Sequence, residues 1–108
     1  MPTTFDDREK AQEAKYAFDA EAAFKIAARR NRLLGLWVAE QSGLSGDAAE
    51  EYARNGFAVA LVGADEAGVV ARAVADLAAK GKALAEEEVA AKATELLEQV
   101  KAAFKSGT

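Results

Sequence analysis

Glycine interrupts an otherwise helix-forming chain at three places, Gly43 to Gly46, Gly63 to Asp65 and Gly81 to Lys82. Glycine reaches left-handed backbone angles without steric cost, so such sites end helices and open turns. The stretches between them carry apolar residues at helical spacing, and the single proline, Pro2, interrupts none of them. Four helices with short links, the first much the longest, predict an all-α chain folded as a four-helix bundle. The 108 residues suit one domain, which at this length buries roughly two-thirds of its unfolded surface. Hydrophobic residues make up 51% of the chain, much of it alanine, so the core side chains are small on average.

The first helix divides in two. Ala23, Ile26, Ala27, Leu33, Leu34 and Trp37 are placed on one face, with Arg30 in the middle of the stripe. Carried toward the N-terminus, the stripe meets Asp19, Tyr16, Gln12, Glu9, Arg8 and Phe5, so the apolar face fades before about Tyr16. Phe5 to Glu21 nevertheless contains no glycine, proline or β-branched residue and favours helix. A helix-prone segment without a packing face of its own reads as a flexible arm, residues 1–16, that folds on binding another protein. Thr4 caps it with Asp7 three residues on, and Phe5 is an isolated aromatic anchor near its tip. Arg8 and Lys15, with Glu9, Gln12 and Glu13 between them, offer polar contacts. The bundle is expected over 17–105 and a frayed tail over 106–108.

The remaining helices carry clearer signals. Gly43 suits the position after a helix end, Ser45 the N-cap of the second helix, and Asp65 that of the third. Tyr52, Ala53, Phe57, Ala60 and Leu61 mark one apolar face, and Val69, Val70, Ala73, Val74 and Leu77 the next. Val89, Ala93, Leu96, Leu97, Val100 and Phe104 mark the last, behind a first turn of Glu86, Glu87 and Glu88 that complements the helix dipole. Trp37, Phe57, Leu77, Leu97 and Phe104 are the expected core.

The chemistry is mostly excluded. A net charge of −4 is poorly matched to phosphate backbones, so no nucleic-acid partner is expected. There is no cysteine and no histidine, which removes disulfides, thiolate or imidazole metal sites and two classes of nucleophile. No apolar run approaches the roughly 20 residues of a membrane span. The carboxylates are scattered; Glu86 to Glu88 point about 100° apart on a helix and cannot converge on a metal. "GADEAGVV" has the glycines of a phosphate loop but lacks its lysine and its serine or threonine. No catalytic residue, metal or cofactor is expected, and the chain is read as a non-enzymatic, cytoplasmic protein that is monomeric alone. Lys25, Arg29 and Arg32 line one helical face and suit either a phosphate or pairing with acids such as Glu21. Arg30 projects into the apolar stripe and needs a carboxylate or a path to water.

Two stretches, "TTFDDREKA" at Thr3 to Ala11 and "ARRNRLLGLWVAE" at Ala28 to Glu40, are similar to the alphaproteobacterial zeta subunit family of F-type ATP synthase inhibitors. The resemblance covers most of the chain. It implies a four-helix bundle preceded by a mobile inhibitory segment that inserts at a catalytic interface between alpha and beta subunits, near gamma, and blocks ATP hydrolysis. Carried over, that segment falls on Met1 to about Tyr16, with Thr4, Phe5, Asp6, Asp7, Arg8, Glu9, Lys10, Gln12 and Glu13 as the contact residues. It implies a location on the cytoplasmic face of the synthase. It also implies weak ATP or ADP binding, for which Lys25, Arg29, Arg30 and Arg32 are the candidates. The alternatives are a small adenine-nucleotide sensor and a structural interaction module without inhibitory activity.

Overall fold

A computed structural model describes residues 2–105, with side chains described for 21–104. The first helix, α1, runs without a break over Pro2–Gln41. The second helical element, α2, is composite: α-helical over Gly46–Glu51, π-helical over Tyr52–Ala58 and 3₁₀ over Val59–Leu61. Helix α3 spans Glu66–Ala79 and α4 spans Glu86–Lys105. No strand occurs among the described residues. The expected tail, 106–108, lies outside them.

The three glycine breaks do what their chemistry predicts. Gly43, Gly63 and Gly81 have φ of 89°, 84° and 82°, in the region where a Cβ would be strained. At the end of α1, Leu44 N–H donates to Ala39 O at 2.8 Å and Gly43 N–H to Glu40 O at 3.1 Å. At the end of α3, Lys82 N–H donates to Leu77 O at 2.9 Å and Gly81 N–H to Ala78 O at 3.0 Å. Both are Schellman closures, which satisfy carbonyls that a helix end would otherwise leave bare. Asp65 caps α3 by accepting from Gly68 N–H at 2.8 Å. Ser45 occupies the N-cap position of α2 in extended geometry, but its side chain makes no capping bond.

The chain runs up, down, up and down. Phe57, Leu34, Leu77, Val38, Val69 and Val89 are fully buried and form the centre of the core with Ala73 and Ala93. Of the expected core residues, Phe57 and Leu77 are at its centre. Trp37, Leu97 and Phe104 are half-buried at the edge. In α1 the buried face is turned by about one residue from the expected stripe. Ala22, Arg30, Asn31, Leu34, Val38 and Ala39 are inside, whereas Ala23 is exposed. Gly35 lies where α1 and α2 approach most closely: a Cβ built there would sit 3.0 Å from Ala53 Cα and 3.1 Å from Phe57 Cβ. In α2, Ala53, Phe57 and Leu61 face inward while Ala60 is exposed. A π turn takes more than four residues, so a spacing of four stays aligned there where a 3.6-residue turn would carry it sideways.

Candidate interaction surface

Arg30 finds the carboxylate that its position demands. Its guanidinium, 5% exposed, donates from Nη1 to Glu66 Oε1 at 3.0 Å and from Nε to Asn31 Oδ1 at 3.0 Å. Glu66 opens α3, so this pair fastens the first helix to the third. The other three cations behave differently. Lys25 pairs with Glu21 at 3.6 Å across one exposed turn. The Arg29 guanidinium stacks 5.2 Å above the Phe104 ring, covering the end of α4. Arg32 is exposed. The structure therefore brings Lys25, Arg29 and Arg32 onto one open face and turns Arg30 away, into the bundle. A shallow hollow of about 150 Å³ beside this face is lined by Glu21, Ala22, Lys25 and Phe104, so a carboxylate shares it with the cation.

Thr4, Phe5, Asp6, Asp7, Arg8, Glu9, Lys10, Gln12 and Glu13 belong to the backbone of α1. Their side chains lie outside those described.

A second polar cluster joins α2 to α3. Arg72 donates from Nε to Asp76 Oδ1 and Oδ2 at 3.0 and 2.9 Å and from Nη2 to Gly56 O at 2.7 Å. Gly56 lies within the π-helical segment, where carbonyls lose their ordinary i+4 partners. The Tyr52 hydroxyl donates to Asp76 Oδ2 at 2.5 Å. Burial, and then the hydrogen bond to Asp76, hold this phenol protonated far above its usual range. A cavity of about 260 Å³ adjoins the cluster, with Ser42, Leu44 and Lys80 on its other walls. Each charged group in the cluster is answered by a neighbour, so the arrangement is a staple between helices. It offers no activated nucleophile or base.

A third surface lies at the end of the bundle from which α1 continues toward Pro2. Phe24, Val59 and Val62 are the large apolar side chains left most open here, at 62%, 60% and 66% exposure. Phe24 and Val62 line one groove of about 200 Å³, with Ala27 and Ala28 on one wall and Leu61 and Gly63 on the other. Phe24 falls off the expected stripe of α1, and an aromatic placed off-stripe is the signal by which sequence reasoning finds such a residue.

Among the described residues, no group of three carboxylates is placed to hold a metal ion, and no helix is long and apolar enough to cross a membrane. No curated protein and no solved structure matches the chain. A family model described as ATPase inhibitor subunit zeta matches residues 2–103. The chain belongs to that family.

Proposed function

We propose that this member of the ATPase inhibitor subunit zeta family is a non-catalytic inhibitor of an F-type ATP synthase. It blocks ATP hydrolysis by lodging its N-terminal arm, residues 1–16, at a catalytic interface between alpha and beta subunits, near gamma. The mechanism is steric. A helix held in that interface prevents the change of subunit conformation that each turnover needs. Inhibitor and synthase meet on the cytoplasmic face, and the bundle serves as the holder of the arm.

The observation that carries this reading is a mismatch of helix lengths. Helix α1 has 40 residues and α4 has 20. Phe104, near the end of α4, lies over Arg29 and beside Ala22 and Lys25. The two helices are therefore antiparallel, and α4 runs out beside the middle of α1. Some 20 residues of α1, about 30 Å at 1.5 Å per residue, extend past the helix that packs against it. A helix that runs on past its α4 neighbour over that length is suited to a partner supplied by another protein. The alternative, an adenine-nucleotide sensor on Lys25, Arg29 and Arg32, meets the Glu21 carboxylate beside Lys25, which opposes a polyphosphate.

The test is steady-state ATP hydrolysis by the F-type catalytic sector with the full chain and with a chain lacking Met1 to Lys15. The described core residues, from Ala22 to Val100, all remain in the shorter chain. Inhibition by the full chain and none by the shorter one is expected. Equal inhibition by both would place the activity in the bundle and overturn the reading.

A further inference from the structure

The three exposed apolar side chains are not scattered. Phe24, Val59 and Val62 lie at one end of the bundle, and two of them share a groove. Single exposed apolar residues need no explanation, but exposed apolar side chains gathered at one end of a fold, two of them in one groove, mark a surface that takes part in binding. The patch is built from α1 (Phe24), the end of α2 (Val59) and the α2–α3 link (Val62). Its position is set by the same packing that fixes Leu34, Phe57 and Leu61 in the core.

What covers the patch follows from the continuity of α1. The helix is uninterrupted from Pro2 to Gln41, and no glycine or proline occurs between Thr3 and Leu34. Phe24 lies eight residues beyond Tyr16, or about 12 Å along the axis. A body that grips residues 1–16 therefore ends within reach of Phe24. The link holding Val62 lies at the same end of the bundle, facing the same body. We propose that Phe24, Val59 and Val62 form a shoulder that docks against the outer surface of the ATPase catalytic sector, next to the opening that receives the arm. The inference rests on the inhibitory reading above and adds a second contact to it. The arm stops turnover, and the shoulder sets how deep the arm goes and how long it stays. The matching surface on the sector is apolar, since no charged side chain lines the groove. Fully desolvated apolar contacts of this kind act mainly on the dissociation rate.

The experiment compares three full-length chains, unmodified, Phe24→Ser with Val62→Ser, and Val59→Ser alone, with the chain lacking Met1 to Lys15 as reference. Hydrolysis by the catalytic sector is titrated with each, and thermal unfolding verifies that each is folded. The expected result for the double variant is unchanged inhibition at saturation and a half-inhibitory concentration raised on the order of tenfold. Val59→Ser gives a smaller shift in the same direction, and being a single exposed substitution it provides the readout if the double variant is unstable. Unchanged half-inhibition by folded variants, with the shortened chain inactive, overturns the shoulder and leaves the arm's role standing. Absence of inhibition by the unmodified chain overturns both. A dimer of the free chain in sedimentation that Phe24→Ser with Val62→Ser dissociates assigns the patch to a second copy and overturns the proposal.

Discussion

Removing the carboxylate from Glu66 tests how a nearly buried guanidinium is maintained inside a small helical bundle. Arg30 is 5% exposed and Glu66 is 53% exposed, so the pair is neither a surface bridge nor a buried one. A surface pair contributes about 0–1 kcal/mol, whereas orphaning a charge in a fully buried pair costs about 3–5 kcal/mol. Water reaches Glu66 from its open side and would partly solvate the orphaned guanidinium from there. The coupling between the two side chains should therefore fall between those limits, at about 2 kcal/mol. Glu66→Ala also removes a negative charge from the first turn of α3, worth about 0.3–1 kcal/mol against the helix dipole. A double-mutant cycle with Arg30→Met separates that contribution, because the dipole effect is present with or without Arg30. In thermal unfolding at neutral pH, a loss of about 2 kcal/mol lowers Tm by about 8 °C or more in a domain of this size. Arg30→Met in the Glu66→Ala background should recover part of the loss, since the buried charge is then gone. Asn31 Oδ1, which accepts from Arg30 Nε, prevents full recovery. A coupling below about 0.5 kcal/mol, or a double variant less stable than Glu66→Ala alone, would refute the claim that Glu66 neutralises Arg30.

Two further outcomes follow from packing and titration. Gly35→Ala gains about 1 kcal/mol of helix propensity but places a methyl 3.0 Å from the Ala53 backbone and 3.1 Å from Phe57 Cβ, neither of which is a flexible chain end. Overpacking of about 1–3 kcal/mol outweighs the gain, so the urea midpoint should fall, and a rise would show that α1 and α2 can separate freely. Tyr52 donates to Asp76, and its folded pKa lies above the unfolded value near 10. Its contribution is therefore complete below about pH 10 and is lost as pH climbs toward the folded value, because the unfolded chain releases the proton first. Stability measured by urea unfolding should fall more steeply above about pH 10 in the unmodified chain than in Tyr52→Phe, and equal slopes would contradict the assignment.

The helix boundaries were legible because they are local. Gly43, Gly81 and Asp65 each act within a few residues, through left-handed backbone angles or a short side-chain cap. The inward face of α4 was legible because Val89, Ala93, Leu96 and Val100 stand out against charged neighbours. The phase of α1 was less so. Alanine occurs on several sides of this helix, so Ala22 and Ala23 are equivalent by type and only the partner helices decide which is buried. Asn31 was missed because a polar residue in a charged stretch reads as surface; its role shows only once Arg30, paired with Glu66 36 positions along the chain, turns inward and donates to its Oδ1. The Tyr52–Asp76–Arg72 staple depends on pairing across 24 residues and on a π-helical segment that no propensity scale announces. Of the candidate surface, the basic residues and the long first helix were visible in the sequence. The shoulder was not, because Val59 and Val62 are exposed only through the helical phase that precedes them.

That phase gives the irregular turn of α2 a further consequence. The π segment over Tyr52–Ala58 works as a gear that sets the angular position of everything after it. Removing one residue from it would rotate the following residues by about 100°. Leu61 would swing out of the core, the outward direction of Val59 and Val62 would be lost, and the carbonyl held by Arg72 would belong to a different residue. Substitutions along this helix change one contact at a time. A change of length by a single residue resets the core, the staple and the shoulder together.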